Sequence, residues 1–181
     1  LIMTEAKIGQ PGWIELSREA ILHNFRVIKE YNPNYEIVPV LKSNAYGHGL
    51  EEILSIVEPL NLPYVAVTDM DHINRIRNSF PTQAILLIGY IPAKVIQELP
   101  PNTTAVVIDL ETLHELVGLN YRGKIHIKFD TGMNRQGIDA KKVDEVMDLI
   151  RENNVIVEGI CSHLADTDGD ADEFTQQQIN V

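Results

Sequence analysis

A single cysteine, Cys161, rules out any disulfide within the chain. That scarcity fits a reducing compartment, and a cytoplasmic location is expected. Cys161 lies between Ile160 and Ser162 at the end of an apolar run, so it reads as a buried structural thiol rather than a nucleophile. Positive charge is also scarce: 15 Lys and Arg against 26 Asp and Glu give a formal net charge of −11. Such a surface repels phosphate backbones and anionic membranes, so nucleic acid is not expected as a partner. Long apolar runs are missing; those present are broken by Pro, Glu or Gly, and no membrane segment is expected. No basic-then-apolar leader opens the chain, and Leu1 and Ile2 precede Met3, as an expression remnant or the edge of something longer. Otherwise the 44% hydrophobic and 23% charged residues are those of an ordinary globular protein.

Short β-branched runs alternate with amphipathic stretches, the rhythm of βα units and a parallel sheet. Strands are predicted at Trp13–Leu16, Ile37–Leu41, Tyr64–Val67, Ala84–Ile88, Thr104–Ile108, Lys124–Phe129 and Val155–Ser162. Helices are predicted from Ser17, an N-cap, and over Glu51–Glu58, Asp69–Asn78, Pro92–Glu98, Leu110–Val117, Lys141–Asn153 and Phe174–Val181. The fold class is α/β. About six βα units follow the opening strand, two short of a (β/α)8 TIM-type barrel. A doubly wound open sheet has room for the same number, so strand count alone leaves both open.

The most informative string is Val38-Pro-Val-Leu-Lys-Ser-Asn-Ala-Tyr-Gly-His-Gly49. Lys42 stands where a buried strand ends, and catalytic groups of parallel α/β folds gather at such ends. An amine partly withdrawn from water is favoured in its neutral form, the form that condenses with an aldehyde. By position alone, a lone lysine there more often snorkels to solvent; the surrounding string is what favours the chemical reading of Lys42. A phosphate-binding P-loop does not fit, because the lysine precedes the glycines.

Two further strings end strands. In Lys124-Ile-His-Ile-Lys-Phe-Asp-Thr-Gly-Met-Asn-Arg-Gln-Gly137, alternation puts Ile125, Ile127 and Phe129 on one face and His126, Lys128 and Asp130 on the other. With helices against the apolar face, Lys128 points inward and needs a partner or a chemical change. Glu158-Gly-Ile-Cys-Ser-His-Leu-Ala165 brings His163 to another strand end, and Asp166–Glu173 and Phe174-Thr-Gln-Gln-Gln178 follow. No second ligand stands at helical or hairpin spacing from His163, so no metal is expected.

Together and in this order, the three strings resemble those of the alanine racemase family. The resemblance implies an N-terminal barrel domain that binds pyridoxal 5'-phosphate and interconverts L- and D-alanine, supplying D-alanine for cell-wall peptidoglycan. It implies that Lys42 holds the cofactor as an internal aldimine and acts as a base, and that Tyr46 contacts the phosphate. It implies that Arg135 lies near the phenolic oxygen, that Lys128 is carboxylated and orients Arg135, and that His163 lies beside the cofactor ring. Members of that family are homodimers and are longer than this chain. On that reading residues 18–181 are the incomplete barrel domain. The opening strand in 1–17 then belongs to a C-terminal β domain not contained in the chain. The second base, a tyrosine given across the dimer, is also outside the chain. Serine or broad-specificity racemisation, or non-catalytic pyridoxal-phosphate binding, are the alternatives.

Overall fold

Ser17 opens the first helix as the sequence predicts: its Oγ accepts the Ala20 N–H at 3.2 Å. The computed structural model describes residues 13–167 and 172–181. The chain divides into two units, Leu1–Leu86 and Leu87–Val181.

In the first unit the elements are α1 (Arg18–Tyr31), a short turn α2 (Lys42–Tyr46), α3 (Leu50–Val57), β1 (Val65–Val67), α4 (Met70–Ser79) and β2 (Ile85–Leu87), whose last residue falls at the division. Leu50, Leu54 and Ile56 of α3, Val65 and Val67 of β1, Ile73 and Ile76 of α4, and Ile85 are fully buried. Burying each such side chain contributes about 1.5–3 kcal/mol before entropy is counted. α1 is different: none of its side chains is buried, and Val27, Ile28 and Tyr31 are exposed.

The second unit contains α5 (Ala93–Gln97), β3 (Thr103–Val107), α6 (Leu110–Gly118), β4 (Lys124–Asp130), β5 (Ile138–Asp139), α7 (Val143–Asn153), β6 (Ile156–Cys161) and α8 (Asp172–Ile179). β4 is central and pairs in parallel with β3, β5 and β6. The face of β4 carrying Ile125 and Ile127 is buried against Ile96 of α5, Leu113 and Leu116 of α6 and Val146 of α7, as the alternation requires. His126 and Lys128 fall on the other face.

Two predicted strands reduce to single bridging residues, and one observed strand is absent from the prediction. The strand at Trp13–Leu16 reduces to one bridging residue, Leu16; Trp13 and Ile14 are exposed, and residues 1–12 lie outside the described residues. The strand at Ile37–Leu41 reduces to a parallel bridge between Val40 and Ala66. Pro39 has no N–H to extend the ladder; it only accepts, from Ala66 N–H at 2.9 Å, while Leu41 N–H donates to Ala66 at 2.7 Å. The two-residue β5 was not anticipated. Of the acidic stretch after His163, residues 168–171 lie outside the described residues.

Candidate functional site

The bridge at Val40 delivers the chain to Lys42 beside the C-terminal end of β1. There the backbone turns left-handed. Ser43, Asn44, Ala45 and Tyr46 all have φ between 52° and 55°, and Gly47 follows at 86°. Left-handed conformation costs an L-residue with a Cβ about 1–2 kcal/mol, asparagine less. A run of four survives only where surrounding contacts fix it.

Asn44 supplies most of those contacts. Its carbonyl accepts Gly47 N–H at 3.1 Å and Gly49 N–H at 3.0 Å. Its Oδ1 accepts Leu50 N–H at 3.1 Å and Arg75 Nη2 at 2.8 Å. Arg75 also grips Glu51 with two bonds, 2.8 and 2.5 Å, and that hydrogen bond holds the Glu51 carboxyl below the usual range. The Asn44 N–H donates to His72 Nε2 at 2.9 Å. Ala45 is buried, so the turn is anchored through its middle. Of its outer members, Lys42 is half-buried and Tyr46 exposed, and the Lys42 amine lies 5.7 Å from the centre of the Tyr46 ring. At Gly47 a Cβ would meet nothing within 4 Å, so the backbone there faces open space.

In the second unit the predicted residues lie at and beyond the ends of β4 and β6. Lys128 is half-buried and in register with Cys161 of β6. Among the described residues no carboxylate reaches ion-pair distance of Lys128. Burial pushes the Cys161 thiol up, with the Lys128 charge opposing. After β4, Asp130 Oδ1 accepts Gly132 N–H at 2.9 Å and Asn134 N–H at 3.0 Å, folding the loop that carries Arg135, which is exposed. His163, also exposed, follows β6.

Three side chains stitch these loops together. Thr131 Oγ1 and Ser162 Oγ are 2.8 Å apart. Gln178 of α8, only 3% exposed, donates to Thr131 Oγ1 at 3.3 Å and to the His163 carbonyl at 3.2 Å, and its Oε1 accepts Ala165 N–H at 2.9 Å. Beside them lies a largely apolar cavity of about 470 Å³, lined by Phe129, Thr131, Cys161, Ser162 and Leu164 among others. Lys42 and Tyr46 thus share one unit, and Lys128, Arg135 and His163 the other.

Sequence reasoning gave no role to His72, Asn44 or Gln178. The contacts that tie them to other elements, Asn44 to His72 and Gln178 to Thr131, join residues far apart along the chain. Asp69, Asp71 and His72 place three metal-capable atoms within 4.8 Å of one another, but both His72 nitrogens are committed to protein partners.

A lysine on a left-handed turn beside a parallel strand end in one unit, and two loops fixed at the ends of further parallel strands in the other, belong to an α/β protein. The chain belongs to the family "Alanine racemase, N-terminal domain", whose model matches residues 16–181. It is 34% identical to an alanine racemase of Methanococcus maripaludis over 96% of its length, and 32% identical to one of Fusobacterium nucleatum over 92%. In both cases it spans 48% of the relative, so the chain has about half the length of the curated relatives it matches. A solved alanine racemase of Clostridium difficile 630, in complex with cycloserine, matches with a TM-score of 0.83 at 29% identity, over 96% of this chain and 50% of that one. The barrel-type α/β class predicted from the sequence is the class of these relatives.

Proposed function

We propose that this chain is the part of an alanine racemase that carries pyridoxal phosphate on Lys42. The observation that carries the reading is the left-handed turn. It presents the Lys42 amine and the Tyr46 ring on one side of a backbone fixed by Asn44, next to the end of a parallel strand. An amine with a phenol and open glycine backbone close by suits an aldehyde-bearing, phosphorylated ring, so the residues present fit the cofactor. When bound, pyridoxal phosphate supplies an electron sink that acidifies Cα of an attached amino acid.

The protein's own part is to hold and to move protons. The Lys42 Nζ would hold the cofactor and, as a base, take or return the Cα proton on its face. The Tyr46 hydroxyl donates to the phosphate. Arg135 would serve the phenolic oxygen of the bound cofactor and His163 its ring, both carried on loops that Asp130 and Gln178 fix. Lys128, which meets no carboxylate among the described residues, would take up carbon dioxide as a carbamate, losing a proton, and so become an anionic partner for Arg135.

Alanine is the proposed substrate, from the names of the relatives. The same reading gives a cytoplasmic homodimer that provides D-alanine for the cell wall. A lone cysteine is what a reducing compartment allows.

The test is to incubate the chain with pyridoxal phosphate, reduce with borohydride and map the peptides by mass. A pyridoxyl group on Lys42, lost in Lys42→Ala, is the expected result. Labelling of another lysine with Lys42 unmodified overturns the proposal.

A further inference from the structure

The buried histidine of α4 stands outside the three strings that identify the family, yet it touches the turn that carries Lys42. His72 is 8% exposed. Its Nε2 lies 2.9 Å from the Asn44 N–H, which can only donate. Nε2 must therefore present its lone pair, and the ring proton must sit on Nδ1. There it points at Asp69 Oδ1, 2.6 Å away. Asp69 is itself held as the N-cap of α4, accepting His72 N–H at 3.0 Å and, on its other oxygen, Thr68 Oγ1 at 3.1 Å. Asp69 thus fixes the tautomer, and the tautomer fixes the acceptor.

We propose that His72 is a positioning residue for Lys42: locked by Asp69 with its proton on Nδ1, it accepts the Asn44 N–H and holds the left-handed turn that aims the Lys42 amine and the Tyr46 hydroxyl. The proposal rests on Lys42 being the cofactor lysine. Few side chains meet the requirement at this place. Lysine and arginine offer only donors. A carboxylate would set a second buried negative charge against Asp69. An apolar group would leave the Asn44 N–H without its acceptor in a turn that is already strained. A neutral imidazole donates on one side and accepts on the other, as second-shell partners of functional groups commonly do. Glutamine is the one near substitute, with an amide N–H for Asp69 and a carbonyl for Asn44.

The experiment compares the unaltered chain with His72→Leu and His72→Gln. The first measurement is hydrogen exchange at the Asn44 amide. In His72→Leu it accelerates by roughly tenfold to a hundredfold, the scale of losing one partner of a bonded pair, while the β1 amides keep their protection. His72→Gln restores most of it. The second is the rate at which free pyridoxal phosphate becomes attached to Lys42, trapped by borohydride. It falls by about 10–100-fold in His72→Leu and recovers in His72→Gln.

An unchanged Asn44 amide in His72→Leu overturns the proposal. So does a glutamine variant no better than leucine, or acceleration that spreads equally through β1, which would mean general loosening. Nitrogen-15 spectra of the unaltered chain decide independently of how the variants fold: a proton on Nε2 of His72 is incompatible with the proposed role. If the unaltered chain takes no pyridoxal phosphate on Lys42, the proposed function fails, and the Asn44 exchange comparison still decides what His72 does.

Discussion

At the scale of single residues, Asp130 is the clearest case of one charge organising a loop. Burial raises its carboxyl, but the backbone N–H groups of Gly132, Asn134, Arg135 and Met133 together outweigh that and leave it below the usual range. A folded-state value below the unfolded one means that Asp130 contributes stability above its unfolded value, and that this is lost as pH falls through the folded one. Asp130→Asn keeps an acceptor and removes the charge. Denaturant titrations should show the variant less stable than the unaltered chain at neutral pH, with the gap closing in acid; a constant gap would be contrary to this. Residues of this kind were legible only when their chemistry is packed into consecutive positions. Lys42, Tyr46 and Gly47 fall within one short string, as do Lys128 and Arg135. Asn44 meets His72 from 28 positions away, and Gln178 meets Thr131 from 47. Only the folded backbone brings such pairs together.

At the scale of elements, helices were easier to read than strands. Asp69 and Asp109, placed just before α4 and α6, cap them through their carboxylates. Both helices fall within a residue or so of their predicted ends. The edge segments failed because a strand is defined by its partner. Ile37–Leu41 is apolar enough for a strand, but Pro39 lacks the N–H that would extend its ladder. β5 is two residues long and exists because Gly137 lets the loop return onto β4. Gly137 has φ 135°, and a Cβ there would come within 2.5 Å of the Asp130 nitrogen, a backbone atom that cannot swing aside. Gly137→Ala should therefore push β5 off β4 and cost about 1–3 kcal/mol, the range of an overpacked site. Thermal unfolding measures it. An unchanged melting temperature would show that the loop adapts freely, and Arg135 would then be less firmly placed than the hydrogen bonds around it indicate.

At the scale of the molecule, the fold class was legible because βα alternation is written along the whole length. How strands close around a site is not, because closure is a property of distant segments. The chain spans about half of its curated relatives, which bears directly on activity. Racemisation needs a proton delivered on one face of Cα and removed from the other, and the proposed chemistry of this chain places only Lys42 at that carbon. Loss of one positioned acid–base group costs about 10²–10⁴-fold. The 181-residue chain, saturated with pyridoxal phosphate, should therefore turn over alanine at least a hundredfold more slowly than a full-length alanine racemase assayed beside it. Equal rates, abolished by Lys42→Ala, would show that the chain carries both groups. A different asymmetry concerns time. α1 runs for 14 residues, near the length at which a lone helix is barely held together in water, and it buries no side chain of its own. It contacts α3, which is locked into the core of its unit. α1 should therefore open more often than the strands that lead to Lys42, and faster exchange of its amides is the expected sign.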